Sequence, residues 1–152
     1  MFWWWQVVDE QNLYPRYRAV SEFMKDVDPR DPTIVQANTK LDLTNPETGN
    51  KELLKQFGAI CVASPTTGRG YIYAVKFTNK EEDALQAEGL KIFIEGIQSG
   101  LYRVAFHETS TGRQLRRFDV RAEDGYIGIP VPAFKKDIAF KLNCITAVVS
   151  GK

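Results

Sequence analysis

Residues 100–120 read Gly100-Leu101-Tyr102-Arg103-Val104-Ala105-Phe106-His107-Glu108-Thr109-Ser110-Thr111-Gly112-Arg113-Gln114-Leu115-Arg116-Arg117-Phe118-Asp119-Val120, and this stretch decides the fold class. Tyr102, Val104 and Phe106 alternate with Leu101, Arg103 and Ala105, which is the two-residue period of a strand with one face on a core. Glu108-Thr109-Ser110-Thr111-Gly112 reads as a hairpin connection, with Gly112 free to take a positive φ. Gln114 to Val120 then returns as the partner strand.

The same reading extends outward from that hairpin. Downstream, Tyr126-Ile127-Gly128-Ile129-Pro130 and Ile138-Ala139-Phe140-Lys141-Leu142 are strands. Upstream lies Leu90-Lys91-Ile92-Phe93-Ile94-Glu95, preceded by a polar loop from Thr78 to Glu88. The apolar run Ala59-Ile60-Cys61-Val62-Ala63 and the strand from Gly70 to Phe77 flank a Gly-rich turn at Thr67-Gly68-Arg69-Gly70. Residues 33–43 are rich in β-branched side chains, Asn45 to Asn50 is a turn, and 51–57 suits either a short helix or a strand lead-in. About seven or eight short strands with turns every ~8–12 residues predict a mainly β fold, an antiparallel β-sandwich of immunoglobulin-like or jelly-roll-like type. That domain takes residues 33–152.

Residues 1–32 form an N-terminal strand and helix segment expected to pack on the core. Asn12 reads as a helix N-cap, and Pro15 is tolerated in a first turn. Leu13, Tyr17, Val20, Met24 and Val27 fall on one helical stripe, predicted to pack on the sandwich or on a partner chain. Asp28-Pro29 and Asp31-Pro32 end the helix near Val27.

Composition narrows the function classes. At 152 residues, 43% hydrophobic and 26% charged, the chain suits one well-buried core and argues against disorder. Twenty basic against nineteen acidic residues leave a formal charge of +1, which gives no electrostatic footprint for nucleic acid or an anionic membrane. The apolar start Met1-Phe2-Trp3-Trp4-Trp5-Gln6-Val7-Val8 stops at Asp9-Glu10 and lacks the plan of a signal peptide. No run approaches the ~20 apolar residues of a membrane span, so a soluble protein is expected.

The chemistry-bearing residues are few. No nucleophile motif, phosphate-binding loop or metal-ligand cluster is present, so no catalytic residue, metal or cofactor is assigned. Cys61 and Cys144 sit in apolar runs and read as buried free thiols in preference to a disulfide, with their redox state and the compartment left open. His107 beside the hairpin reads as a surface or edge residue, and one histidine does not argue for a triad. Asp9 and Glu10 are too close in sequence to flank a glycosidic bond, and read instead as negative charge ahead of a helix N-terminus.

Trp3-Trp4-Trp5 is the most unusual feature. Three consecutive indoles on a strand cannot all face inward, so at least one belongs at a rim or interface. These three are the candidate ligand-binding residues, since indole faces stack on sugar rings. Core packing or a subunit contact uses the same apolar area.

The run from Phe2 to Ala19, Phe2-Trp3-Trp4-Trp5-Gln6-Val7-Val8-Asp9-Glu10-Gln11-Asn12-Leu13-Tyr14-Pro15-Arg16-Tyr17-Arg18-Ala19, resembles the last βα unit of certain bacterial TIM-barrel glycoside hydrolases. Gly100-Leu101-Tyr102-Arg103-Val104-Ala105-Phe106 with Thr111-Gly112 is similar to a Gly-x-Tyr-x-Val strand and Thr-Gly turn of their C-terminal sandwich. Gly128-Ile129-Pro130 through Phe134, and Asp137-Ile138-Ala139-Phe140-Lys141, resemble its closing strands. The resemblance implies a C-terminal piece of such an enzyme, or a product derived from one. The catalytic acids of those barrels lie on earlier strands, so no residue here inherits their roles. The implied function is a non-catalytic accessory module, structural or weakly carbohydrate-binding, with a poly- or oligosaccharide as partner. The alternative is an interaction protein that forms a homodimer through the Trp-rich N-terminus.

Overall fold

Two short helices open the chain, α1 (Trp3–Glu10) and α2 (Tyr14–Met24). The protein is seen in a computed structural model that describes residues 3–28, 30–76 and 85–147. The stretch expected to be a strand end is therefore helical. A strand satisfies its N–H and C=O groups only beside a neighbour, and among the described residues no strand of the sheet comes from this part of the chain. Helical bonds satisfy them locally and run to the end of α1, with Gln11 N–H donating to Val7 O at 3.0 Å and Leu13 N–H to Val8 O at 2.9 Å.

Asn12 is the hinge between the helices, not an N-cap. Its φ of +45° is the left-handed conformation that asparagine tolerates. Leu13 occupies the N-cap without a side-chain cap, and Pro15 does sit in the first turn. The helix ends at Met24, one turn earlier than expected.

The remaining elements are β1 (Val35–Gln36), β2 (Thr39–Leu43), α3 (Leu53–Gln56), β3 (Phe57–Ala63), β4 (Thr67–Ala74), β5 (Gln86–Ala87), β6 (Leu90–Glu95), β7 (Gly100–His107), β8 (Gln114–Glu123), β9 (Tyr126–Pro130), β10 (Phe134–Lys135) and β11 (Asp137–Ala147). Among the described residues nine strands make one sheet in the order β1-β3-β4-β11-β7-β8-β9-β6-β2, and β10 with β5 forms a second, small one. Every pairing is antiparallel. The fold is mainly β, as expected, but its layers are continuous. The nine-stranded sheet curls until β2 at one end lies against β3 near the other. There the Thr39 hydroxyl donates to the Ala59 carbonyl at 3.0 Å.

The core fills the inside of the curl. Tyr102, Val104 and Phe106 of β7 are fully buried, with Ile72, Ile92, Ile94, Ile127, Ile129, Ile138, Phe140 and Leu142 around them. The Tyr102 hydroxyl lies 2.7 Å from Pro65 O and 2.9 Å from Gln98 O and donates to these carbonyls, so its polar end is satisfied. Gly68 and Gly70 are not a turn. They are inward positions of β4, opposite Leu142 and Phe140 of β11, whose side chains take the room a Cβ would need. The turn falls earlier, where Ser64 N–H donates to Thr67 O at 2.9 Å. Of the polar loop expected from Thr78 to Glu88, residues 78–84 lie outside the described part, and Gln86–Ala87 forms β5. Among the described residues no helix is long and apolar enough to cross a membrane.

Candidate functional site

Strand alternation puts a second set of side chains on the outside of the β3-β4-β11-β7 half of the sheet. From β3 these are Ile60 and Val62, from β4 Arg69 and Tyr71, from β11 Ala139 and Lys141, and from β7 His107. Helix α2 lies across this face. It docks not by the predicted stripe but through Ala19 and Phe23. Tyr17 and Val20 stay more than half exposed, while Ala19 is buried. Gly112 makes this approach possible, since a Cβ there would stand 3.3 Å from Ala19 Cα and Cβ. Its φ of +75° belongs to the hairpin turn and suits glycine.

Phe23 is held from two sides. Its ring meets the His107 imidazole edge-on, with centroids 5.7 Å apart and planes at 81°. The Lys141 ammonium sits 4.9 Å from the same ring centroid and donates to Glu22 O at 3.3 Å. Between helix and sheet a groove of about 550 Å³ remains, walled by Val20, Phe23, Met24, Ile60, Val62 and Tyr71, with Arg69 and His107 also lining it.

Arg69 is only 7% exposed, which is unusual for a cation. Its Nη1 donates to Gly68 O at 2.8 Å, reaches Asn143 Oδ1 at 3.2 Å, and lies 3.4 Å from Leu142 O. Its buried Nε has no acceptor among the described residues. Burial lowers the guanidinium pKa, and the charge of Asp26 opposes that shift from beyond ion-pair distance.

His107 Nδ1 lies 3.1 Å from Gly112 O, an atom that can only accept, so Nδ1 carries the hydrogen. Nε2 is then the buried atom without a partner. Burial depresses the ring pKa and the charges of Lys141 and Arg69 add to it, against the Gly112 bond. The acids nearby are already engaged. Asp137 accepts from Tyr71 Oη at 2.8 Å and Thr109 Oγ1 at 2.5 Å. Glu108 accepts from Thr111 Oγ1 at 2.5 Å and pairs with Arg113 at 3.7 Å.

A second, smaller cleft of about 320 Å³ lies on the β9-β6-β2 end of the sheet. Asn38, Thr39, Lys40 and Asp42 from around β2, Phe93 and Glu95 from β6 and Tyr126 from β9 line it. Gly128 leaves room for the Phe93 ring, since a Cβ there would be 2.9 Å from Phe93 Cε1. The Lys91 ammonium is 4.8 Å from that ring centroid. Asn38 Nδ2 donates to Glu95 Oε2 at 3.1 Å, and Lys40 pairs with Asp42 at 3.2 Å. A backbone bond from Leu43 N–H, then Lys40, hold the Asp42 carboxyl below its usual pKa.

The residues singled out by sequence are scattered relative to these clefts. Trp4 and Trp5 are 59% and 65% exposed and line neither cleft. Successive helical positions point about 100° apart, so the two indoles do not make one flat surface. The side chain of Trp3 lies outside the described part. Asp9 and Glu10 close the C-terminal end of α1, where Tyr14 Oη donates to Asp9 and Gln6 Nε2 donates to Glu10 at 2.8 Å. Cys61 is a buried free thiol whose pKa burial pushes up to about 12, and Cys144 is free but only half-buried. His107 is half-buried at the end of β7, where Phe23 of α2 meets its ring and its Nε2 is shut off from solvent. Arg69 went unnoticed inside the supposed glycine turn. Its alternation with Gly68 and Gly70, continued by Tyr71 and Ile72, is the signal that places it on an outward strand face.

Among the described residues, no three His, Cys, Asp or Glu are grouped to hold a metal ion. No protein family's sequence profile matches the chain, and no curated protein matches it. A solved structure, alpha-L-fucosidase isoenzyme 2 from Paenibacillus thiaminolyticus, is similar over 70% of this chain and 15% of its own, at 11% identity and a TM-score of 0.46.

Proposed function

We propose that the protein is a non-catalytic β-sandwich module, related to the C-terminal domains of glycoside hydrolases, that binds saccharide weakly at the cleft of Phe93 and Tyr126. The cleft itself carries this reading. An aromatic pair offers a face for the C–H side of a sugar ring, while Asn38, Glu95, Asp42 and Lys40 offer donors and acceptors for its hydroxyls. Such a site has few walls and stays wet, so the affinity is low. The Gly-x-Tyr-x-Val and Asp-Ile-Ala motifs of β7 and β11 support the relationship to glycosidase modules. Electrophoresis through gels containing soluble glucan, xylan or mannan tests it. Wild type should be retarded in at least one gel, and Tyr126→Ala and Phe93→Ala should migrate freely while keeping the wild-type circular dichroism. Unretarded wild type in every gel, or retardation that survives both substitutions, refutes the reading.

A second reading has its own observation. Trp4, Trp5, Tyr14, Tyr17 and Val20 are all more than half exposed on two adjoining helices. Apolar area gathered in this way favours self-association, most simply as a two-fold dimer through the N-terminal segment.

A further inference from the structure

We propose that the groove beneath α2 is a binding site for an amphipathic carboxylate, a small molecule with one carboxylate head and an apolar body, whose head pairs with Arg69. The argument starts from the cost of burying a cation. A guanidinium removed from water needs an opposite charge or a full set of acceptors. Arg69 forms no ion pair among the described residues, and its buried Nε is left over. Nη1 is turned towards backbone carbonyls and Asn143 Oδ1, and Nε is shut off from solvent, so a ligand head meets the guanidinium where it lines the groove and takes up Nε with a small side-chain shift.

Of the acids around the groove, Asp26 is the one whose charge bears on Arg69. Asp137 is held by Tyr71 and Thr109, and Glu108 by Thr111 and Arg113. Asp26 is exposed and acts on Arg69 only through its field. Lys141 adds a second positive charge at the margin of the groove, again without an ion pair among the described residues. Guanidinium edges match carboxylates in geometry, and charge-assisted bonds of this kind are the strong ones.

The walls select the rest of the ligand. Val20, Phe23, Met24, Ile60 and Val62 offer hydrocarbon and no charge. The volume of about 550 Å³ falls within the range of small-molecule sites. A strongly hydrated anion such as sulfate gains nothing from those walls, and a neutral alkyl chain leaves Nε unpaired.

The test uses octanoate, with octanol and octylammonium as controls, on protein carrying ¹³C-methyl methionine. Met24 lines the groove and is one of only two methionines, so its methyl signal is a local probe. Octanoate should shift that signal and bind at least about tenfold tighter than octanol, the margin expected of a charged hydrogen bond. Octylammonium should bind more weakly than either. Because the charge of Arg69 bears on His107, pairing it with octanoate should also move the titration of the chain's single imidazole upward. Arg69→Leu should abolish the preference for octanoate over octanol. Val62 lies directly opposite Arg69 on β3, so Val62→Glu supplies a built-in carboxylate and should block octanoate. Equal binding of octanol and octanoate overturns the proposal, as does undiminished octanoate binding by the folded Val62→Glu protein. A Met24 methyl that octanoate does not move overturns it as well.

Discussion

Gly70 and Phe140 face each other across the β4–β11 ladder, and the phenyl ring occupies the space where a side chain on residue 70 would begin. A Cβ at Gly70 would stand 2.1 Å from Phe140 Cζ. The neighbouring pair repeats the arrangement, with Leu142 Cδ2 2.8 Å from the Cβ position of Gly68. Each glycine is thus the small half of a large-small pair that lets two strands share one layer of core.

Gly70→Ala should therefore destabilise the protein by ~2–3 kcal/mol through overpacking, read from chemical denaturation. Adding Phe140→Leu should recover part of that loss, because the smaller side chain vacates the contested space. Single costs that simply add in the double variant would show that the ring is not the obstacle.

Stability should fall as the pH drops below about 6.5, the value His107 would have without its surroundings. The folded protein holds the ring neutral under α2, so its imidazole takes up a proton only at lower pH than the unfolded chain's. Between those two values the unfolded state binds more protons and is favoured, while above 6.5 the contribution is fully present. Arg69, Lys141 and Glu108 face the same groove, and it is the lowered imidazole that sets this window, so His107→Phe should flatten the profile below about 6.5. A His107→Phe profile as steep as wild type would assign the effect elsewhere.

In a Cys144→Ser protein the remaining thiol of Cys61 should resist modification at pH 8. It is buried, and its pKa of about 12 leaves almost no thiolate. Labelling should be slower than in urea-unfolded chain by ~100-fold or more, since it must wait for local opening. Comparable rates would mean that β3 opens freely.

If the N-terminal helices mediate a dimer, light scattering should show a mass that rises with concentration. A Trp4→Ser, Trp5→Ser double variant should remain monomeric and keep the same circular dichroism, because both indoles are exposed. A monomeric wild type at high concentration, or a variant that still dimerises, removes the second reading.

The β half of the molecule was legible because its side chains alternate. Tyr102, Val104 and Phe106 are all buried, and Gly112 takes the positive φ that the hairpin required. The glycines at 68 and 70 misled because a glycine in a strand and a glycine in a turn look alike until the opposing residue is known. Phe140 and Leu142 are about 70 positions away, and only the β4–β11 register reveals them. The helical face misled for a related reason. Periodicity marks Tyr17, Val20 and Met24 as the apolar stripe, yet what docks a helix is the fit of small Ala19 against Gly112 and of Phe23 against His107. The groove was hidden because Arg69, His107 and Lys141 come from three strands and meet only when β4, β11 and β7 lie side by side.

Strands β1 and β2 are consecutive in the chain yet stand at opposite ends of the nine-strand order. Two residues join them, and each is bonded to a different layer. Ala37 N–H donates to Cys61 O at 2.9 Å, while Asn38 O accepts from Glu95 N–H at 3.1 Å. This short stretch therefore works as a clasp over both raw margins of the sheet. Its release would bare the unpaired backbone of β3 and β6 at once, giving another molecule two strands to zip against. The hazard of this protein in concentrated or heated solution lies in that clasp, and its resistance to fibrillar aggregation should follow how tightly residues 35–43 are held.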